Sequence, residues 1–124
     1  MDGRVGMEFF RFTQDNGKKV NHFHSDFVIS RIAEIQDKAQ ISCMYLQQNG
    51  IIGYHEAVVN QLLFVVSGEG FVCDEQRQYI KIQAGDAVFW QQGEWHETKT
   101  NEGLTAIVIE SETLHPQHLG WGRP

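Results

Sequence analysis

Between residues 50 and 100 the chain reads Gly50-Ile51-Ile52-Gly53-Tyr54-His55-Glu56-Ala57-Val58-Val59-Asn60-Gln61, runs on through an apolar segment to Gly68, and resumes as Gly85-Asp86-Ala87-Val88-Phe89-Trp90-Gln91-Gln92-Gly93-Glu94-Trp95-His96. The glycines cut this stretch into pieces too short for helices, and the pieces are rich in β-branched and aromatic residues, which suit strands. Side chains alternate across a strand, so His55, Ala57 and Gln61 share one parity and point to one face. A strand-borne His and Gln, with His96 on a distant strand of the same barrel, can converge on one interior point.

Outward from this stretch the same texture continues. Short apolar pieces occupy residues 7–12, 27–35, 41–47, 51–57, 62–66, 71–74, 79–82, 87–90 and 104–109. Between them stand turn chemistries: Asp15-Asn16-Gly17, Gln48-Asn49-Gly50, Ser67-Gly68-Glu69-Gly70, Ala84-Gly85-Asp86 and Thr100-Asn101-Glu102-Gly103. Many short strands in quick succession predict an antiparallel sandwich or barrel, with Gly68 to Gly70 as a hairpin turn. Residues 27–35 can be read as a strand or a short helix, and Val28, Ile29 and Ile32 favour the strand. In 61–66 both Leu63, Val65 and Leu62, Phe64, Val66 are apolar. In 104–109 Leu104, Ala106, Val108 and Ile107, Ile109 repeat the pattern. Both faces therefore need cover: one by the barrel interior, the other by the N-terminal Phe9, Phe10 and Phe12 or by a second copy of the chain. A homodimer is expected, with the N-terminal strand taking part.

Composition sets outer bounds. The 124 residues carry 10 Lys+Arg against 16 Asp+Glu, a net charge of −6, which argues against nucleic acid or an anionic membrane as partner. The length predicts one domain over 1–124: N-terminal strands in 7–47, the motif region in 50–100, and a C-terminal tail in 111–124. A chain this long buries roughly two-thirds of its unfolded surface, so a core forms without disulfides. Cys43 and Cys73 are expected as small, reduced core residues. No signal peptide is visible and no apolar run approaches a membrane span, so the expected location is cytoplasmic.

His55, Gln61 and His96 are the candidate metal ligands, since imidazole nitrogen and amide oxygen both bind divalent transition metals. Three donors with open positions make a catalytic type of site. The competing reading is a metal-free pocket in which two neutral imidazoles and an amide bind each other or water. Trp90 and Trp95 are candidate pocket walls, or else core or interface anchors. Glu94 or Glu97 can orient His96. His22-Phe23-His24, His115 and His118 read more simply as polar surface. Residues 68–70 are too short for a phosphate loop, no nucleophile-elbow motif is present, and the basic residues form no stripe.

The stretch resembles the cupin family. Its first motif, Gly, five residues, His-x-His, three or four residues, Glu, six residues, Gly, is met by Gly50, His55, Ala57, Gln61 and Gly68. Its second, Gly, five residues, Pro-x-Gly, two residues, His, three residues, Asn, is met by Gly85, Gln91, Gly93, His96 and Thr100. Gly50 lies one residue nearer its His than usual, and 16 residues, 69–84, separate the motifs. The resemblance implies an all-β double-stranded β-helix, the jelly-roll barrel. It also implies a divalent metal (Fe, Mn, Ni or Zn) at His55, Gln61 and His96, and a small organic ligand in the barrel. Oxygenase, isomerase or related metal-dependent chemistry would follow. Two departures fall on the ligands: Ala57 replaces the second His and cannot ligate, and Gln61 replaces the Glu with a neutral oxygen. They leave open a metal-free, non-catalytic small-molecule binding or sensing module.

Overall fold

A computed structural model describes residues 6–116. Its strands are β1 (Glu8–Arg11), β2 (Lys18–Val20), β3 (Phe27–Ile29), β4 (Ala33–Glu34), β5 (Gln40–Leu46), β6 (Ile51–Glu56), β7 (Gln61–Cys73), β8 (Ile80–Gln83), β9 (Asp86–Trp90), β10 (Trp95–Glu110) and β11 (His115–Pro116). The helical elements among the described residues are three-residue 3₁₀ turns at Gln14–Asn16 and His22–His24, so the all-β jelly roll is observed. No helix among them is long and apolar enough to cross a membrane. Residues 27–35 form β3 and β4 rather than a helix.

Two long antiparallel strands organise the sheet. The first half of β7 pairs with β9 and its second half with β8. Along β10, the N-terminal half pairs with β6 and the C-terminal half with β5. The β7–β10 ladder joins the two sets, and β1 extends the sheet beyond β9.

The turns expected at 67–70 and 100–103 are corrected here. Both strands run straight through them, bending together instead of reversing. Gly68 sits at φ +81° and Gly103 at φ +131°. The ladder shifts register on both sides of this region, between Lys99 and Gly103 and between Thr105 and Ala106. Bulges of this kind bend and twist a strand without ending it. Thr100 holds the corner: its hydroxyl donates to the Glu69 carbonyl at 2.6 Å and accepts from the Gly103 N–H at 2.9 Å.

The double-sided apolar pattern sorts into two cores. Leu63, Val65, Val88, Trp90, Leu104, Ala106 and Val108 fill the interior. On the outer face Leu62, Ala87 and Phe89 pack with Phe10, Phe12 and Leu114, edged by Phe64 and Ile109. Beside Ala87, Phe10 of β1 adds to this face as a neighbouring strand, and Leu114 with Ile32, Ala33 and Ile35 of the same chain packs on it, so Phe10 and Phe12 are buried within one chain. Arg11 ties β1 to β9 through Asp86 at 3.1 Å. Cys73 is buried as expected, whereas Cys43 is exposed, because it stands on the outer parity of β5 with the exposed Ile41 and Tyr45. In the expected tail, β11 pairs with β4, and residues 117–124, including His118, lie outside the described residues.

Candidate functional site

β6 and the start of β10 run antiparallel with His55 directly opposite His96, and β7 begins with Gln61, opposite Trp90 of β9. Inward parity on these strands gathers His55, Gln61, Trp90 and His96 around one interior cavity of about 30 Å³, lined otherwise by Thr98 and by apolar groups such as Met44, Leu63 and Val108. That volume holds about one water molecule. The imidazoles of His55 and His96 lie 4.5 Å apart between centroids, inclined at 54°. The Trp90 indole stacks on His96 at 4.0 Å and 18°.

Each histidine is tethered in the same way. His55 Nδ1 donates to the Gly53 carbonyl at 2.6 Å, and His96 Nδ1 to the Glu94 carbonyl at 3.3 Å. A carbonyl only accepts, so each Nδ1 must carry the proton, and in a neutral ring Nε2 is then the lone-pair atom. Among the described residues no hydrogen bond reaches either Nε2. Metal-binding histidines are oriented by such a bond at the other ring nitrogen. His96 is buried, and desolvation, reinforced by the neighbouring His55, pulls its pKa from 6.5 down to about 4, against the Glu94 carbonyl that favours the proton. Near neutrality the His96 lone pair is therefore available.

Gln61 is buried, and its Nε2 donates to Glu110 Oε2 at 3.2 Å. Glu110 pairs with Gln61 across the β7–β10 ladder. The carboxylate that the sequence motif lacks thus stands one hydrogen bond behind the amide. Glu110 also borders a separate surface groove of about 560 Å³, shared with Asp37, Gln40, Val58 and Glu112. Trp90 Nε1 is a buried donor without a partner among the described residues. It therefore calls for an acceptor atom such as a water or ligand oxygen.

The remaining candidates fall elsewhere. Trp95 is exposed and leans on Tyr54, centroids 5.5 Å apart and rings inclined at 32°, outside the barrel, because it has the parity opposite to His96. Arg77 lies 4.2 Å over the other partner of that pair, Tyr54. His22 and His24 occupy an exposed turn, and His115 is exposed on β11. The side chains of Glu94 and Glu97 do not orient His96. The Glu94 carboxylate accepts backbone N–H groups of Gly6 and Gln91, and that of Glu97 accepts the Tyr79 hydroxyl on the opposite face. The orienting groups are main-chain carbonyls, which no residue type announces. Glu110 was foreseeable only from its register opposite Gln61. Among the described residues no three His, Cys, Asp or Glu side chains come together as a metal-binding group.

Residues 43–111, more than half of the chain, match the family Cupin_2, described as a cupin domain. No curated protein matches the chain. Among solved structures, it resembles a cupin superfamily protein from Desulfitobacterium hafniense (TM-score 0.56, 16% identity, 63% of this chain and 73% of that one). A cupin-2 domain protein from Shewanella frigidimarina is similar at TM-score 0.53 and 20% identity, over 62% of this chain and 74% of that one. The DMSP lyase DddQ from Ruegeria pomeroyi aligns with 91% of this chain and 58% of its own, at TM-score 0.56 and 18% identity. At these identities the likeness to solved structures is one of fold, and together with the family match it places the chain: it belongs to the cupin family.

Proposed function

We propose that this cupin binds a divalent transition metal through His55, His96 and the amide oxygen of Gln61, and acts on a small organic molecule. The observation that carries the reading is the paired tethering of His55 and His96: both rings line one cavity, each with its Nδ1 on a main-chain carbonyl and no hydrogen bond at Nε2 among the described residues. The donor set fits such an ion. The two imidazoles supply nitrogen, and the Glu110 carboxylate behind Gln61 polarises the amide and supplies nearby negative charge. The bound ion would act as a Lewis acid or bind dioxygen.

A cavity the size of a water leaves no room beside Trp90 for an organic molecule. The groove across Glu110, at about 560 Å³, is of the size that small ligands occupy. Gln61 lines the cavity and Glu110 the groove, and their hydrogen bond links the two linings. In this reading the ligand rests in the groove and only one of its atoms reaches inward, where Trp90 N–H offers a donor.

Protein purified without a metal-chelating tag, stripped by a chelator and titrated with Mn²⁺, Co²⁺, Ni²⁺ and Zn²⁺ by calorimetry, tests this. One ion per chain is expected, with affinity reduced at least about 10-fold in His55→Ala and in His96→Ala. Equal binding by the wild type and both variants, or none by the wild type, would overturn it. A second reading, a metal-free binding module, is favoured by Ala57, which fills the place of a family ligand with a buried methyl group. Ligand binding unchanged by complete metal removal would select it.

A further inference from the structure

Strand β5 is bonded to β10 on one side only. Among the described residues no backbone group of 40–46 makes a hydrogen bond away from that ladder. Peptide groups alternate between the two sides of a strand, so about half of those in β5 face outward with nothing to bond. Proteins protect such edges with charge, proline, bulges or brevity. This edge has none of them. Residues 39–54 contain no Asp, Glu, Lys, Arg or Pro, β5 is seven residues long, and its register with β10 is unbroken. Along the outer face Ile41 is 64% and Tyr45 75% exposed, with Cys43 exposed between them. The next row continues the apolar surface, since Ile107 stands beside Cys43 and Phe64 beside Ile107.

We propose that β5 pairs antiparallel with β5 of a second copy about a two-fold axis at Cys43, joining two sheets into one. Open N–H and C=O groups fit a strand, and two features of this edge select the same strand from another copy. Charge is the first. The chain carries −6 overall, and this edge is a place where two copies meet without setting like charges against each other. The second is self-complementarity. With Cys43 on the axis, Ile41 faces the partner's Tyr45, and Tyr45 faces the partner's Ile41, each a cross-strand pair of β-branched and aromatic side chains. The two Cys43 residues then stand directly opposite, at the roughly 4.5–5.5 Å Cα separation of antiparallel neighbours, within disulfide range. The pairing stands independently of the metal reading.

Light scattering and oxidation by diamide of the native full-length protein test it. A dimer is expected at micromolar concentration. Diamide should join the two copies through Cys43, identified by peptide mass, while the buried Cys73 remains reduced. Cys43→Ser should lose the crosslink and keep the dimer. Ile41→Lys with Tyr45→Lys should halve the mass with an unchanged far-ultraviolet circular dichroism spectrum. Should that double variant fail to fold, the crosslink in the wild type decides. A monomeric wild type, a dimer that diamide does not join at Cys43, a dimer that survives the folded lysine variant, or a different protein held on this edge would each overturn the proposal.

Discussion

His96 holds its ring where a proton is unwelcome. Its pKa of about 4 in the fold lies below the ordinary 6.5 of an unfolded chain, so between these values the unfolded state binds more protons. Stability contributed by the neutral ring is complete above about pH 6.5 and is lost as the pH falls through about 4, by about 3 kcal/mol in all. Urea denaturation of metal-free protein at about pH 7 and about pH 4.5 should show most of that loss, and His96→Gln should remove most of the difference. An equal pH slope in both proteins would contradict the burial argument. Gln61 invites a second substitution. In Gln61→Glu the family's carboxylate returns, but against Glu110, so two carboxylates share a hydrogen-bonding distance now bridged by an amide. Metal-free Gln61→Glu should lose on the order of 2 kcal/mol, recovered by adding Glu110→Gln or a divalent metal, as thermal melts will report. At this scale the sequence was informative about His55 and Gln61, because their shared parity sends them to one face, whereas Trp90 was legible only as either a pocket wall or a core anchor. The sequence was silent about the Gly53 and Glu94 carbonyls, whose role depends on backbone position, and Trp95 belongs to the opposite parity from its neighbour His96.

Strands β7 and β10 bend where reversals were expected, and the reason lies in the same glycines that suggested turns. Positive φ at Gly68 suits a hairpin or a bulge equally, and only the partner strand decides between them. Here β10 follows the bend, with Thr100 pinning its corner to Glu69. The close approach sets a strict requirement, since a Cβ on Gly68 would run into the Gly103 carbonyl oxygen at a φ that L-residues resist. Gly68→Ala should therefore cost about 3 kcal/mol or more, and Thr100→Val about 1–2 kcal/mol, in chemical denaturation. A melting temperature unchanged in Gly68→Ala would mean that the strands do not cross there as described. The alternating faces were legible because both Leu63, Val65 and Leu62, Phe64 find a core. Lys18–Val20 was missed as a strand, because it is short and polar, with both lysines exposed.

For the whole molecule, two apolar faces implied two coverings, and the chain supplies one of them itself through Leu114, Ile32, Ala33 and Ile35. What remains open is the β5 edge, on which Cys43 stands instead of in the core. Spacing of glycines and histidines made the cupin fold readable, since it records the lengths of strands and corners. Chemistry was less readable, because a ligand set depends on where Glu110, distant in sequence, meets Gln61. The barrel interior, filled by Trp90 to the volume of about one water, makes the central claim a narrow one: a single ion, held at His55, His96 and Gln61. Elemental analysis of protein expressed without a metal-chelating tag measures it most directly. About one transition-metal ion per chain is predicted, falling to trace level in the His55→Ala, His96→Ala double variant. A folded wild-type protein that carries no such metal, and takes up none when it is supplied, would contradict the claim.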